Sequence, residues 1–395
     1  MPSKLWQALA STKIIGYTRL VGFAYPLLIA IAVLGGCNSF GSAVHQSPAD
    51  SGTPSDSTVD VKNDDSSTTL DCSDGILNGN ETDVDCGGSC PACALGKQCD
   101  VAADCDSNMC PAGYCTCVYG SFSEPINLGA DINSVYPEWD PLPSTDHLRL
   151  YFSSDRPDGA GKTDLYVATR STIGASYSSV VPLSEINGTS SEDNPSVWNA
   201  DTELAYGTWS TWGVDGTLIH ATRSTASGQF TLSTAGIFDA INRSDSAQLE
   251  IAVTEDGLLA VFTSNQTGTG DFDLWQTTRQ TTSEAFAAPT ELTELNSTFL
   301  DAFATLSRDG LSVYFNSQRS GGLGMADIYT ASRTSRSEAF SAPVAVPGVN
   351  SSGIDATPAL SADGLTLYFA SDRPGGQGDV DLWMSTRSCL SATPN

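Results

Sequence analysis

The chain has 395 residues, with 46 Asp plus Glu against 18 Lys plus Arg, a formal net charge of -28 and 40% hydrophobic residues. That surface repels nucleic-acid phosphates and anionic headgroups, so no nucleic-acid partner is expected, whereas cations and basic partners suit it. Of the three histidines, His45 lies in a linker and His147 in a predicted turn, which argues against a histidine-centred catalytic site.

Residues 1–36 read as an export leader. Lys4, Lys13 and Arg19 precede an apolar run from Leu20 to Leu34, too short for a comfortable span of about 20 residues. The run ends Leu34-Gly35-Gly36-Cys37, which resembles the bacterial lipobox. The resemblance implies cleavage before Cys37 and acylation of that cysteine. Each buried methylene of the acyl chains contributes about 0.8 kcal/mol to anchoring. Asn38 does not match the aspartate that retains such lipoproteins at the inner membrane. The expected location is therefore the bacterial envelope, at the outer membrane or cell surface. Residues 37–71 are rich in Ser, Thr, Asp and Gly and cannot bury enough apolar surface to fold. They read as a disordered tether spanning roughly 30 Å.

Residues 72–117 hold nine of the eleven cysteines: Cys72, Cys86, Cys90, Cys93, Cys99, Cys105, Cys110, Cys115 and Cys117. In an exported chain such density reads as a disulfide module. The stretch from Asp74 to Gly88 resembles a Cys-rich module of bacterial surface proteins. Two metal readings stand beside the disulfide reading. Cys90-Pro91-Ala92-Cys93 has zinc-ligand spacing without a clear partner pair. Asp74, Asn78, Asn80, Glu81, Asp83 and Asp85 offer the oxygens that calcium prefers, without the EF-hand order. No cofactor is firmly implied.

Residues 118–395 repeat one pattern five times. Arg170, Arg223, Arg279, Arg333 and Arg387 close the copies at intervals of 53, 56, 54 and 54 residues. Each copy reads as four β segments. The first follows an acid-x-x-Pro motif, as at Pro195 and Pro358. The second is apolar, as from Leu365 to Phe369. Asp256-Gly257, Asp309-Gly310 and Asp363-Gly364 form tight turns between them. The third begins Asp164-Leu165-Tyr166 or Asp381-Leu382-Trp383. The fourth starts at an aromatic residue seven past the arginine: Tyr177, Phe230, Phe286 and Phe340. Four antiparallel strands repeated radially make an all-β propeller. The last copy lacks its fourth strand, and Phe122 to Leu128 matches that segment. The expected fold is a five-bladed β-propeller whose N-terminal strand completes the last blade. Counting back seven from Phe122 places Cys117 at the loop position that Cys389 occupies after Arg387. A Cys117–Cys389 disulfide is expected to lock the ring.

Ser371-Asp372-Arg373-Pro374-Gly375-Gly376 with the following Asp-Leu-Trp resembles the TolB-like, WD-type propeller repeat. Such propellers usually have six blades, so five is a departure. Blade two also departs, with Thr208-Trp209-Ser210-Thr211-Trp212 in place of Asp-Arg-Pro. The resemblance implies that ligands bind the face formed by the loops from fourth to first and second to third strand. Glu138, Glu192, Asp301 and Asp355 follow repeated asparagines there and are expected to ring the channel mouth. They would serve as a cation socket or as turn caps. Asp155-Arg156 and Asp372-Arg373 read as ligand contacts or local ion pairs. Trp209 and Trp212 would stack on a sugar, grip a peptide or pack on the next blade. The expected function is a lipid-anchored, non-enzymatic monomer that binds or scaffolds a protein or glycan. The alternatives are a five-bladed glycoside hydrolase and a carbohydrate-binding lectin. Hydrolysis would require unique acids near the axis, breaking the repeat, and none stands out in the sequence.

Overall fold

The computed structural model describes residues 71–266 and 271–390. The leader, Cys37 and the tether through residue 70 lie outside the described residues. Among the described residues the fold is all-β apart from two three-residue 3-10 turns at Ala102–Asp104 and Pro111–Gly113. No helix there is long and apolar enough to cross a membrane.

The five repeats form five four-stranded antiparallel blades. Blade one is Glu138–Pro143, Arg149–Ser154, Asp164–Thr169 and Ser178–Pro182. Blade two is Ser191–Trp198, Glu203–Trp209, Thr217–Thr222 and Thr231–Leu232. Blade three is Gln248–Val253, Leu259–Ser264, Asp273–Thr278 and Thr290–Glu291. Blade four is Asp301–Leu306, Ser312–Ser317, Asp327–Ser332 and Val344–Ala345. Blade five takes Asp355–Leu360, Thr366–Ser371 and Asp381–Thr386 from the C-terminal end, and Ile126–Asn127 from the N-terminal side.

The closing strand pairs Ile126 with Met384 and Asn127 with Trp383, the register in which Val344 and Ala345 meet Thr330 and Tyr329. A sheet edge left open would expose unpaired backbone, and the closure removes it. The repeated arginines show why the seven-residue spacing recurs. Each lies over the aromatic that opens the fourth strand: Arg170 on Tyr177 at 4.2 Å, Arg223 on Phe230 at 4.0 Å, Arg279 on Phe286 at 4.6 Å and Arg333 on Phe340 at 4.2 Å. Arg387 lies over Phe122 at 4.6 Å, across the junction of the two ends. The Nε of each arginine donates to a carbonyl of the turn between first and second strands, such as Gly257 and Gly364. Those two glycines have φ of 69° and 72°, which a side chain would strain. The preceding aspartate fixes the turn by accepting from the backbone two residues on, as Asp363 does from Leu365.

The core lies between blades. Leu165, Leu183, Leu204 and Phe230 pack blade one against blade two, and the other interblade clusters repeat the scheme. Phe152, Phe262, Phe315 and Phe369, at matching second-strand positions, are fully buried. Burial of such a side chain contributes roughly 1.5–3 kcal/mol.

The module is held by Cys72–Cys90, Cys86–Cys93, Cys99–Cys110 and Cys105–Cys115, and Cys117 is bonded to Cys389. Zinc at Cys90 and Cys93 is overturned: both sulfurs are in disulfides, so neither is a thiolate. The module touches the ring on the face of the turns from first to second strand. Arg308 lies over Tyr114 at 5.2 Å, and the Tyr119 hydroxyl donates to the Asp363 carbonyl at 2.9 Å.

Candidate functional site

The repeated polar residues of the loop face serve the fold. Each asparagine after the fourth strand bonds a third-strand residue: Asn187 accepts from Leu165 N–H and donates to its carbonyl, and Asn296 does the same with Leu274. The acid five residues later is buried. Glu138, Asp301 and Asp355 take Arg156, Arg319 and Arg373 at 2.8, 2.7 and 2.5 Å. They also accept from the backbone N–H of Ser134, Ser297 and Ser351. Those arginines stack on blade aromatics, such as Arg373 over Phe369 at 4.9 Å, and donate to the Ile132, Leu295 and Val349 carbonyls. Glu192 accepts the equivalent bond from Gly188 N–H but has no arginine, since blade two carries Ser210 at that place. A cation-binding ring at the channel mouth is thus not assembled. The four carboxylates cap their own loops. Asp155 takes the Thr163 hydroxyl and Asp372 the Ile354 N–H, so these too are local contacts.

The tryptophans of blade two are also engaged. Trp212 packs against Phe272 of blade three, ring centres 5.3 Å apart. Trp209 Nε1 donates to Asp193 Oδ2 at 2.6 Å. In the module, Asp74 accepts from Ile76 N–H and Asn78, Asp85 from Gly75 N–H, Asn80 from Ser89, and Asp83 binds Lys97 and Gln98 N–H. Among the described residues, no three of the carboxylate candidates Asp74, Glu81, Asp83 and Asp85 bring ligand oxygens within 4.8 Å of one another.

The axis holds what the sequence reading missed. Each innermost strand slips register two residues from its start, as between Trp139 and Leu142 or Asp193 and Ser196. The slip puts Asp140, Asn194, Phe303 and Thr357 at φ of 55°, 52°, 58° and 47°. Such β-bulges re-aim side chains. Together with Glu250 these residues line a channel cavity of ≈ 110 Å³. Asp140, Asp193 and Glu250 are 8%, 6% and 5% exposed, and none has an ion-pair partner among the described residues. Asp140 accepts from Ser153 and from Asn194 N–H. Glu250 Oε1 accepts from Ala304 N–H at 2.8 Å. Asp193 Oδ1 and Glu250 Oε2 have no hydrogen-bond partner. Burial pushes Asp140 up to about 6 and Glu250 up to about 7, and holds Asp193 well above the usual carboxylate range, with the Asp140 charge adding to the effect. Aligning the repeats would have found them. Blades four and five carry Ala302, Phe303 and Ala304, then Ala356, Thr357 and Pro358, at the same places. The reading that no unique acids stand near the axis is corrected.

No protein-family model matches the chain, and no curated protein matches it. Solved structures do. TolB from Acinetobacter baumannii is 17% identical over 64% of this chain and 55% of that one, with a TM-score of 0.40. The catalytic domain of the Coprinopsis cinerea GH62 α-L-arabinofuranosidase is 16% identical over 71% and 100%, with a TM-score of 0.45. A thermostable family-43 glycoside hydrolase is 12% identical over 67% and 96%, with a TM-score of 0.43. The chain thus spans about half the length of the TolB structure. The likeness is one of fold.

Proposed function

We propose that the chain is a non-enzymatic binding protein, anchored to the bacterial envelope through acylated Cys37, that presents its loop face to a protein partner. One observation carries the binding reading. Val135, Tyr136, Val214, Phe299, Leu323 and Met325, all large and exposed, lie on loops from fourth to first or second to third strand. On the propeller's opposite face the exposed large apolar residues among those described are Ile173 and the paired Val118 and Leu390; Ile126, Val181, Leu232 and Val344 are exposed on the outer fourth strands, and Ile76, Leu77, Val84, Val101 and Met109 on the module. Exposed apolar groups gathered on one face mark an interaction surface. The rest of the body is strongly acidic, which suits a partner with a basic rim. A glycan is less suited, because Trp209 is tied to Asp193 and Trp212 to Phe272. Hydrolysis is less suited too. A cavity of ≈ 110 Å³ is small beside the roughly 300–1,000 Å³ of ordinary ligand pockets and leaves no room for a glycosidic bond with a ring on each side.

The test is affinity capture from envelope extracts, followed by reconstitution with the captured protein. The double variant Val214→Asp/Leu323→Asp should lose at least tenfold in affinity while its melting temperature holds. Unchanged affinity, or saturable binding or cleavage of a glycan, would reject the reading. Anchoring is checked separately: Cys37→Ser should leave the membrane fraction and lack the mass of the acyl chains.

A further inference from the structure

We propose that the channel is a socket for one alkylammonium group, held by Asp140 and Glu250. The protein-binding reading of the loop face does not require this site, nor does the site require that reading.

Three facts narrow the ligand. The first is uncompensated charge. Glu138, Asp301 and Asp355 start the same innermost strands or their equivalents, and each has an arginine. Asp140, Asp193 and Glu250 have none, and the acids Asp140 and Glu192 both act on Asp193. Buried carboxylates without a cation are costly unless they hold protons or meet positive charge. The second is missing donors. Asp193 Oδ1 and Glu250 Oε2 accept nothing, although both residues are more than nine-tenths buried. Asp140 and Glu250 line the cavity, whereas Asp193 is bound by Trp209 outside that lining. An ammonium brings three donors and a charge together. The third is spacing. Calcium binds oxygens at about 2.4 Å, so its ligands lie within about 4.8 Å of one another. The three carboxylates do not form such a group. They are spread too widely for one calcium ion to touch all three, whereas an ammonium nitrogen, roughly 2.7–3.2 Å from each acceptor, needs only the two that line the cavity.

Size agrees. A cavity of ≈ 110 Å³ has room for several waters or one alkylammonium head. Below the acids it runs past Leu142, Thr254 and Leu306 toward Thr145, Glu255 and Arg308, apolar and polar in turn. A methylene stem would lie along that stretch. Two sources share this chemistry: a lysine side chain of a bound protein and a free diamine.

The measurement is isothermal titration of the full chain with 1,5-diaminopentane at pH 7 and 150 mM NaCl, in two buffers of different ionisation heat. Salt at that level suppresses diffuse attraction to a charge of -28. The expected result is one saturable site, with proton release on binding as the carboxyls ionise. Glu250→Gln and Asp140→Asn should each weaken binding at least tenfold. Asp245→Asn, an exposed acid paired with Arg243, should leave it unchanged. A second arm compares a lysine peptide with its ε-acetylated form. Tighter binding of the lysine peptide than of the diamine names a protein side chain as the source, and the reverse names the free amine. Absence of saturable heat from both amines, equal affinity of wild type and both acid variants, or saturation by calcium with no amine binding overturns the proposal.

Discussion

Two sets of carboxylates occupy the innermost strands, about two residues apart, and behave oppositely. Glu138, Asp301 and Asp355 recur by blade, sit under an arginine that stacks on an aromatic, and cap the loop they end. Asp140, Asp193 and Glu250 do not recur, meet no cation, and leave two oxygens bare. Equal burial therefore does not mean equal purpose. Repetition marks the acids that build the wheel, and its failure marks those available for something else.

The contrast can be broken from either side. Arg373→Ala strips the cation from Asp355, which has no exposure, and should destabilise the fold by about 3–5 kcal/mol in denaturant titration. Glu250→Gln should do the reverse. The Glu250 carboxyl holds its proton up to about 7 when folded, above its ordinary value of 4.5 when unfolded. The folded state thus loses stability as pH rises through that window, and the variant is spared. Its advantage should be near zero at pH 4 and about 3 kcal/mol at pH 8. A wild type whose stability does not fall between those values removes the contrast. Trp209→Phe deletes the donor to Asp193 Oδ2 and should cost about 1–3 kcal/mol in denaturant titration. Asp245→Asn breaks an exposed, solvent-screened pair and should leave the denaturation midpoint unchanged.

The wheel was legible in the sequence because its grammar is local. Asp363-Gly364 forces a turn, and an arginine seven residues ahead of an aromatic forces a stack. The strand from Ile126 was readable for the same reason: Phe122 meets Arg387 as Phe340 meets Arg333. The roles of Glu138 and its repeats were readable only as alternatives, since capping and cation binding ask for the same residue. Asp140, Asp193 and Glu250 were passed over for a different reason. They sit at three adjacent places of the repeat, and the bulge, with Asp140 at positive φ, leaves Asp140 and Glu250 lining the axial cavity while Asp193 bonds Trp209. A spacing rule sees positions along a strand and not the twist that a positive φ gives them. Trp209 was noticed as an irregularity, but its bond to Asp193 spans two strands and leaves no mark in either.

The sulfur bridge from Cys117 to Cys389 has a mechanical side. The strand Ile126–Asn127 grips the ring through two residues, a weak seam if pulled from its own end. A load arriving along the N-terminal side reaches Cys117 first and passes through the bridge into the C-terminal end of blade five. Both ends of the circle then carry the tension together, and the seam is never peeled.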